Sequence, residues 1–564
     1  MKNLKIHEKV EFKNFRDAVE RFAEMYGEDI AFSYRVKPHD KDIVKKGFNQ
    51  LRNDVRALGS KFLELGMKDK HIALIGKLSY EWILVYYAAL STGATLVPLD
   101  RDWAAAELAE TAKRADISFV ITDSDIKDKG EEIKTAVGAD VLYSTDAEEE
   151  NSIGKLVEEG RALFRENSAP YFDTELDVDK MSLLVFTSGT TGKGKGVMLS
   201  QRNVISDLTE VIPYIKFTRK TVTVLPPHHT YGSSVGIFGH CVIGAESYIS
   251  SGIRYVQKEL KEQQPGHLVL VPLYLETFYR KIMANIKDQG KEKLIARMIK
   301  ISNFLRKFGI DLRRKLFAQV LAAFGGKVEF VISGGAAISP EIMDFFEGVG
   351  VTALNGYGIT ECAPIIAVNP SRMIVKGSVG PAIEIDDVKL ADMNEDGEGE
   401  ICVKGSNVML GYYKDEAATA DAFDEDGYFK TGDYGKIDPK TKSIFITGRK
   451  KNLIILSNGK NVYPEEIESE LVSVPGVIDV IVYEGQSKRG LMHNAIVAEV
   501  YPDKDYIEKN NITDIKAHLQ PYVDAYNRTA VPYKKIAILK IRDEEFPKNT
   551  LRKIMRFKLD MTID

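Results

Sequence analysis

Short apolar runs bounded by glycine or proline recur through the first three-quarters of this 564-residue chain. The runs are HIALIG, ATLVPLD, ISFVITD, SLLVFTS, TVTVLPP, HLVLVPL and KVEFVIS. Between several of them lie helix-length periodic segments such as LRNDVRALGSKFLELG and SYEWILVYYAALSTG. Uninterrupted apolar runs are typical of strands buried on both faces, and their alternation with helices is typical of layered α/β proteins. We therefore predict a multi-layered α/β fold with largely buried sheets.

A second, smaller unit is expected after Gly448, where the chain carries the charged run Arg449, Lys450 and Lys451. Pro464 and the glutamates that follow it predict a helix start, because proline fits the first turn and acidic residues favour the helix dipole there. The segments GVIDVIVYE, NAIVAEVYP and KIAILKI then predict three strands. We expect an N-terminal domain over residues 1–450 and a C-terminal domain over residues 451–564.

The overall composition excludes several classes of protein. A net charge of -5 at pH 7 provides no basic footprint for nucleic acid. Cys241, Cys362 and Cys402 stand far apart without a C-x-x-C pair, which argues against a disulfide framework or a zinc ribbon. The N-terminus lacks the apolar segment of a signal peptide, and no run of about 18 apolar residues occurs. We expect a cytoplasmic protein, soluble or peripheral at a membrane, and the sequence does not indicate its oligomeric state.

The most informative segment is LLVFTSGTTGKGKGVMLS, residues 183–200, in which a buried strand leads into a loop of hydroxyls, glycines and lysines. Glycine lets backbone N–H groups approach a polyphosphate, hydroxyls donate hydrogen bonds, and lysines supply positive charge. The candidate phosphate ligands are Thr187, Ser188, Gly189, Thr190, Thr191, Gly192, Lys193 and Lys195. A solvated glycine turn is the simplest alternative.

A P-loop NTPase is the first rival interpretation of this segment, because the spacing of Gly189, Gly194 and Lys195 nearly matches the P-loop. Gly196 stands where that loop needs a serine or threonine hydroxyl for magnesium. The residues VMLSQRN are also a poor opening for the helix that a P-loop requires. Both features disfavour this rival.

The segment TSGTTGKGKGV resembles the signature of the adenylate-forming superfamily, which includes acyl-CoA synthetases, peptide-synthetase adenylation domains and firefly luciferase. Segments similar to that family's other motifs follow in the same order: LPPHHTYG, SGGAA, NGYGITE, GYFKTGDYG, GRKKNLII and FPKNTLRKIMR. The resemblance covers essentially the whole chain. It implies an acyl-CoA synthetase-like fold, with a large N-terminal domain built of βαβ subdomains and a small mobile α+β C-terminal domain.

The resemblance also implies a reaction. With ATP and Mg²⁺, such an enzyme converts a carboxylic acid to an acyl-adenylate with release of pyrophosphate, and then transfers the acyl group to coenzyme A. The run FLRKFGIDLRRKLF resembles long-chain fatty acyl-CoA synthetases, which favours a medium- or long-chain fatty acid. The alternatives are a ligase whose acceptor is an acyl carrier protein and, in another class, a nucleotide-binding regulator without turnover.

For ATP, the resemblance implies a role for individual residues in each motif. Gly335 and Ala336 would form one wall of the adenine slot, and Asn355 and Tyr357 would hold adenine. Taken alone, SGGAA is equally compatible with a tight turn, and NGYGITE with an ordinary capped turn.

Phosphate, metal and ribose contacts follow from the next motifs. Thr360 would contact the α-phosphate and Glu361 would ligate Mg²⁺, for which a hard oxygen ligand is suited. Asp433 would accept the ribose hydroxyls, as carboxylates do in other nucleotide sites. Arg449 would reach the ribose and phosphate.

Three further residues would act in the reaction itself. Lys553 matches the family's catalytic lysine, with a surface lysine in a basic tail as the alternative. Lys451 matches the hinge between the domains, and a charged linker is its alternative. His229 stands where the family has an aromatic residue or histidine beside the acyl pocket, and packing in a turn is the other interpretation. Gly194 occupies a position where the family usually has proline, which is expected to loosen the loop.

A basic segment extends from Arg280 to Lys315, with 12 Lys or Arg, 3 Asp or Glu and a net charge of +9. Its apolar residues at helical spacing predict one apolar face, formed by Leu294, Met298, Ile301, Leu305 and Phe308. The simpler expectation is a helix packed on the core with a solvated basic face. The alternative is attraction to anionic lipid, to the phosphates of CoA or to an acidic carrier protein.

Overall fold

The computed structural model describes residues 4–187, 194–336, 338–456, 461–485, 495–548 and 553–563. In these residues the chain forms several sheets with helices packed around them. The predicted multi-layered α/β fold, with a large N-terminal and a small C-terminal domain, is confirmed.

The described strands fall into six sheets. In chain order they are β1 (Ile30–Tyr34), β2 (Val44–Gly47), β3 (His71–Ile75), β4 (Thr95–Leu99), β5 (Ile117–Thr122), β6 (Leu142–Ser144), β7 (Met181–Thr187), β8 (Lys195–Ser200), β9 (Lys220–Thr223), β10 (Glu246–Ile249), β11 (His267–Leu270), β12 (Phe330–Ser333), β13 (Thr352–Gly358), β14 (Ile365–Val368), β15 (Asp386–Ala391), β16 (Gly399–Gly405), β17 (Gly411–Tyr412), β18 (Phe429–Ile437), β19 (Ile444–Arg449), β20 (Ile454–Ile455), β21 (Asn461–Val462), β22 (Val477–Gly485), β23 (Ala495–Pro502) and β24 (Ile538–Ile541).

The α-helices lie in the segments before and between these strands. They are α1 (Phe15–Tyr26), α2 (Phe48–Glu64), α3 (Tyr80–Thr92), α4 (Ala105–Arg114), α5 (Lys127–Val137), α6 (Ile153–Glu166), α7 (Ala169–Asp173), α8 (Gln201–Val211), α9 (His240–Val242), α10 (Val256–Gln263), α11 (Pro272–Asp288), α12 (Glu292–Arg306), α13 (Arg313–Leu316), α14 (Ala318–Leu321), α15 (Pro340–Val349), α16 (Glu416–Ala422), α17 (Pro464–Leu471), α18 (Lys504–Lys509) and α19 (Ile515–Thr529). A π-helical turn, Tyr231–Gly239, precedes α9.

The largest sheet has the strand order β17-β8-β7-β4-β3-β5-β6. Strands β7, β4, β3, β5 and β6 run parallel, while β8 and β17 add antiparallel pairings at one edge. Every residue of β4 is buried, as expected for a strand covered on both faces. The predicted phosphate loop begins at the carboxyl end of β7, where the chain turns back into β8.

Two four-stranded sheets carry most of the remaining candidate site residues. The sheet β11-β12-β13-β14 places the end of β12 beside β13, with Ser333 in register with Asn355. The sheet β15-β16-β18-β19 pairs β18 with β19, with Asp433 in register with Arg449. A fourth sheet has the strand order β2-β1-β10-β9, and its strands carry none of the candidate site residues.

The small C-terminal domain is built on the sheet β22-β23-β24. The three predicted strands and the helix starting at Pro464 are all confirmed. Buried apolar residues between Ile454 and Leu539 form a core of their own. The two domains meet at an ion pair in which Lys509 Nζ lies 2.5 Å from Asp288 Oδ1. The boundary at residues 450 and 451 stays a prediction.

The basic segment includes α12, and the residues of the predicted apolar face divide between the core and the solvent. Ile295, Met298 and Ile299 pack against the core of the large domain, whereas Leu294 and Ile301 are exposed. Apolar residues lie on both sides of this helix, so periodicity alone does not show which side faces the core. The packing of Ile299 against Gly348 of α15 decides it.

In the part of the chain that the structure describes, every helix is too short or too polar to cross a lipid bilayer.

Gly160 in α6 is a close-packing position against α2. A Cβ atom there would lie 1.9 Å from the carbonyl oxygen of Ala57, whereas a Cβ on Gly154 in the same helix would meet its nearest atom at 3.9 Å. We predict that Gly160→Ala lowers the free energy of unfolding by about 1–3 kcal/mol. Gly154→Ala should keep or raise it, because alanine is the better helix former. Denaturant unfolding measures both variants, and equal midpoints would contradict the close packing.

Candidate active site

The β7–β8 hairpin brings the two ends of the phosphate loop together. Thr187 and Lys195 are register partners, and Thr187 Oγ1 lies 3.5 Å from the carbonyl oxygen of Lys195. The loop residues between them fall outside the described part of the chain, so their predicted phosphate contacts stay predictions. These residues are Ser188, Gly189, Thr190, Thr191, Gly192 and Lys193.

The same hairpin distinguishes the loop from a P-loop. A P-loop leads from a strand directly into a helix, whereas this loop leads from β7 into the antiparallel strand β8. Helix α8 begins only at Gln201, where Ser200 and Asn203 form a capping box. Gly196 lies within β8 and pairs with Phe186, so it does not occupy the place of a magnesium-binding hydroxyl.

Gly194 lets the ends of the loop approach closely. A Cβ at this position would lie 2.4 Å from the carbonyl oxygen of Thr187. Arg114 Nη2 donates a hydrogen bond of 2.8 Å to the carbonyl oxygen of Gly194 and so fixes this end of the loop. The local packing therefore gives glycine a steric role here, in place of the loosening that the sequence comparison suggests.

Lys195, Tyr412 and Glu361 form a chain of contacts beside the loop. Lys195 Nζ lies 4.5 Å from the centroid of the Tyr412 ring, a cation–π distance. The Tyr412 hydroxyl donates a hydrogen bond of 3.0 Å to Glu361 Oε1. Thr360 and Glu361 open a short 3₁₀ turn that follows β13. Strand β17, paired with β8, therefore places Tyr412 between a predicted phosphate ligand and the predicted metal ligand.

Glu361 is a buried carboxylate whose surroundings suit the binding of a cation. Burial raises the pKa of Glu361, and the Tyr412 hydrogen bond and the charges of Arg449 and Lys195 only partly oppose that rise. Magnesium is commonly held by one or two carboxylates together with substrate phosphates. The described residues contain no group of three or more His, Cys, Asp or Glu side chains arranged to hold a metal ion. Glu361 thus fits a magnesium ion bound jointly with ATP phosphates better than a site made by protein alone.

The predicted adenine wall lies at the end of β12. Gly335 has φ +88°, a left-handed conformation that favours glycine, and both Gly335 and Ala336 are exposed. A Cβ on Gly334 would meet the Tyr231 ring at 3.0 Å. Tyr231 in turn lies within hydrogen-bond distance of the carbonyl oxygens at the ends of β11 and β12. The Tyr231 ring packs against one side of this glycine segment. The other side of the backbone, at Gly335 and Ala336, is exposed and accessible to a flat ligand.

Asn355 and Tyr357 lie two residues apart on strand β13. Asn355 Nδ2 contacts Met343 Sδ of α15 at 3.4 Å, so its amide lies on the α15 side of the strand. Tyr357 donates a hydrogen bond of 2.8 Å from its hydroxyl to Asp433 Oδ2. The predicted adenine residue Tyr357 is therefore connected directly to the predicted ribose carboxylate.

Asp433 is the centre of a buried polar group. Arg449 Nε lies 2.9 Å from Asp433 Oδ1, so each carboxylate oxygen has one partner on a neighbouring element. Burial raises the pKa of Asp433, while the positive charges of Arg449 and Lys553 and the Tyr357 hydroxyl lower it. The surrounding cations thus stabilise the ionised form of this carboxylate.

Lys553 of the C-terminal domain reaches this group. It is exposed in the open cleft, yet the surrounding protein and the charges of Arg449 and Lys451 lower the pKa of Lys553 to about 8, against the opposing effect of Asp433. Burial and the same arginine also lower the pKa of Lys451, which lies in the 3₁₀ turn that follows β19. Three cations therefore converge near a single carboxylate.

His229 lies on the same side of the cleft. Burial, the neighbouring His228 and the positive charge of Lys553 hold the pKa of His229 well below its usual value, so the ring is neutral at pH 7. The two imidazole centroids are 4.2 Å apart, and His228 Nε2 lies 3.5 Å from Asp100 Oδ2. The structure therefore brings His229 close to Lys553.

Sequence reasoning missed the tyrosines that support this site. Tyr412 lies between the motifs NGYGITE and GYFKTGDYG, outside both, and the sequence carries no spacing signal that links it to Glu361. The contact arises only when β17 pairs with β8. Tyr231 was within LPPHHTYG, and an aromatic residue beside glycine was the available signal for a packing role.

Comparison with known proteins places this geometry in a family context. A family model described as "AMP-binding enzyme" matches residues 19–413. Long-chain-fatty-acid–CoA ligase 5 of Mus musculus is 31% identical over 507 residues, which cover 81% of this chain and 71% of the relative. The chloroplastic long-chain-fatty-acid–[acyl-carrier-protein] ligase AEE15 of Arabidopsis thaliana is 28% identical, with 85% and 76% covered.

The fold is also similar to that of a solved crystal structure. The crystal structure of ATP-bound MatB from Rhodopseudomonas palustris superposes with a TM-score of 0.76 at 23% identity, and 96% of this chain and 97% of MatB are covered. At that identity the likeness concerns the fold alone.

Tyr412→Phe tests the contact with Glu361. The variant keeps a ring beneath Lys195 but removes the hydroxyl, and one hydrogen bond to a charged group contributes about 1.5–3 kcal/mol. We predict that the affinity for a non-hydrolysable ATP analogue with magnesium falls by about tenfold or more. Tyr413→Phe is the matched control, because its hydroxyl bonds Asp116 at 2.5 Å outside the site. Calorimetric titration that gives equal affinities for both variants would exclude a role for the Tyr412 hydroxyl.

Proposed function

Because this chain belongs to the AMP-binding enzyme family, in which carboxylic acids are activated as adenylates, we propose that its substrate is a medium- or long-chain fatty acid and its acyl acceptor is coenzyme A. The overall reaction would consume ATP and release pyrophosphate, AMP and an acyl-CoA.

One observation carries this proposal: a lysine of the small domain lies near the residues of the large domain that we propose bind the nucleotide. Lys553 is close enough to Asp433 and Arg449 for their charges to alter its pKa. A protein that only binds nucleotide has no need of such a lysine. A reaction between two anions does need it, because positive charge must lie between them while negative charge builds on the phosphoryl oxygens.

In the first step, the formation of the acyl-adenylate, each of several residues would have a separate role. The acid's carboxylate oxygen attacks the α-phosphorus, a new carbon–oxygen–phosphorus linkage forms, and the bond to pyrophosphate breaks. Lys553 would bridge the carboxylate and the α-phosphate, and Thr360 would donate a hydrogen bond to that phosphate. Lys195 and the loop after Thr187 would hold the departing pyrophosphate. Magnesium, held through Glu361, would supply charge neutralisation at the phosphates.

Nucleotide orientation would come from the large domain. Asp433 would accept hydrogen bonds from the ribose hydroxyls, and Arg449, already paired with it, would contact ribose and phosphate. Asn355, Tyr357, Gly335 and Ala336 would enclose the adenine. His229, being neutral, would line the acyl side of the cleft without competing with Lys553 for the carboxylate.

The second step needs the lysine to leave and the thiol to enter. Lys451, in the turn between the domains, is the proposed hinge for that motion. The names of the relatives support both a CoA acceptor and a carrier-protein acceptor, since one ligase of each kind is similar to this chain. Coenzyme A is the proposal because the relative with the higher identity, at 31%, carries that name.

The proposal is tested by acid-dependent pyrophosphate release across a panel of carboxylic acids, with and without CoA. We expect the highest kcat/KM for saturated acids of medium to long chain, and CoA-dependent formation of thioester and AMP. Release of ADP and phosphate would refute adenylation. Thioester formation only with an acyl carrier protein would keep adenylation and replace the acceptor.

Lys553→Ala separates the two steps. We predict that acyl-adenylate formation falls by about 100-fold or more, because the variant removes the charge that stabilises the meeting of two anions. Thioester formation from supplied acyl-adenylate should be unchanged. Lys558→Ala removes the same charge from an exposed position five residues further along and is the control. Equal loss of both steps in Lys553→Ala would contradict the assignment.

The pH dependence of the first step should report on the same lysine. Its pKa is lowered to about 8 in the free enzyme, so the bridging charge is present below that pH and is lost as the pH rises through it. We predict that kcat/KM for pyrophosphate release falls above about pH 8. In Lys553→Arg the remaining activity should lose this limb, because arginine stays protonated. An identical alkaline limb in both proteins would assign it to another group.

A further inference from the structure

Helix α12 has an apolar face that is not used in packing. Its inner side, formed by Ile295, Met298, Ile299 and the buried Ser302, contacts the core. The opposite side carries four large apolar side chains, which we call the outer stripe. They are Leu294, Ile301, Phe304 and Phe308, with exposures of 51%, 52%, 58% and 67%.

The outer stripe is continuous along the helix. Leu294 and Ile301 are seven residues apart in the helix, so their side chains lie above one another on one side. Phe304 extends the stripe, and Phe308 follows in the turn after the helix, with its ring centroid 5.2 Å from that of Phe304. At about 1.5 Å per residue the helical part of the stripe, from Leu294 to Phe304, is roughly 15 Å long.

A row of cations flanks the stripe on one side. Lys293, Lys300 and Lys307 follow the same seven-residue spacing, Arg297 lies between them, and all four are exposed. Throughout the described residues, none of these four side chains forms an ion pair with a carboxylate. Arg306 and Arg313 behave differently, because both pair with Glu347 of α15, at 2.9 Å and 2.8 Å.

These ion pairs help to fix the position of α12 against α15 of the large domain. Arg306 at the C-terminal end of α12 and Arg313 of α13 both pair with Glu347, and Ile299 packs against Gly348. The helix therefore cannot bury its outer stripe by rotating, since that would expose the inner side and break the Arg306 pair. The apolar surface must remain in contact with water or with another molecule.

We propose that the outer stripe and its cationic row dock this protein on the surface of an anionic lipid bilayer. A helix lying in the interface inserts its apolar side at the acyl boundary and places lysines among the headgroups. The row of four exposed cations, which have no carboxylate partner among the described residues, complements anionic headgroups. A symmetric contact with a second copy of the chain would instead oppose two identical cationic rows.

This inference goes beyond the proposed reaction and does not depend on which acid is activated. It places the large domain against the phase into which long-chain acids partition. It also accounts for a net charge of +9 in residues 280–315 of a chain whose overall charge is -5.

Vesicle co-sedimentation of the full chain tests the docking. We expect retention on vesicles of phosphatidylglycerol and phosphatidylcholine at about 0.05 M salt, and loss of retention at about 0.5 M salt, where charges are screened. Pure phosphatidylcholine vesicles should retain at least about tenfold less protein. Equal retention on both kinds of vesicle, or none on either, would overturn the proposal.

Two sets of variants separate charge from apolar contact. The triple change Lys293→Gln, Lys300→Gln and Lys307→Gln should lower the partition coefficient on anionic vesicles by at least about tenfold. The control changes Lys41, Lys440 and Lys516 to Gln and alters the net charge equally on other exposed surfaces. Equal retention of the two triple variants would contradict the assignment.

The apolar arm uses Phe304→Ser with Phe308→Ser, and its control is Val36→Ser with Met393→Ser, two side chains exposed elsewhere. We expect only the first pair to lower retention, with thermal midpoints unchanged because these rings contact mainly solvent. Two outcomes would replace the membrane with a protein partner: lysine-dependent binding of an acidic carrier protein without vesicle retention, or a dimer that the phenylalanine changes dissociate.

Discussion

The ion pair between Asp433 and Arg449 is the contact on which the candidate site depends. Strands β18 and β19 hold the two residues in register, and the Tyr357 hydroxyl from β13 occupies the other carboxylate oxygen. A buried carboxylate is costly unless it is paired. This pairing therefore joins two sheets of the large domain at one point, and Lys553 of the small domain approaches the same point. The residues of the candidate site are thus arranged around the negative charge of Asp433, which neighbouring cations and a hydroxyl stabilise.

More cations lie near Asp433 than are needed to neutralise the charge of one carboxylate. Besides burial, Arg449 lowers the pKa of Lys451, and Arg449 and Lys451 together lower the pKa of Lys553, which means that these cations repel each other in the free protein. Such an arrangement does little for stability, but it suits an anionic ligand that enters from solution. A triphosphate would relieve the repulsion. The same logic applies at Glu361, where a buried carboxylate complements a cation that accompanies the phosphates.

The segment that follows Lys553 is anchored to the rest of the small domain. Arg556, three residues beyond Lys553, pairs with Glu468 of α17 and donates a hydrogen bond of 2.8 Å to the carbonyl oxygen of Val482 in β22. This domain also has a hydrophobic core of its own. A unit with its own core can change orientation without unfolding. The proposed sequence of adenylation and thiol transfer requires that property, because one cleft must hold the lysine first and admit the thiol afterwards.

The sequence by itself determined the layered α/β class, the strands of the small domain and the residue types of the nucleotide site. Those features follow from local patterns: buried strands are apolar at each position, and motifs such as NGYGITE keep their functional side chains within one turn. Only the tertiary structure decided which distant residues meet. The hydrogen bond of Tyr412 to Glu361 depends on the pairing of β17 with β8. The inward side of α12 depends on the space that Gly348 leaves for Ile299, because a helix with apolar residues on both sides carries no local signal for its orientation.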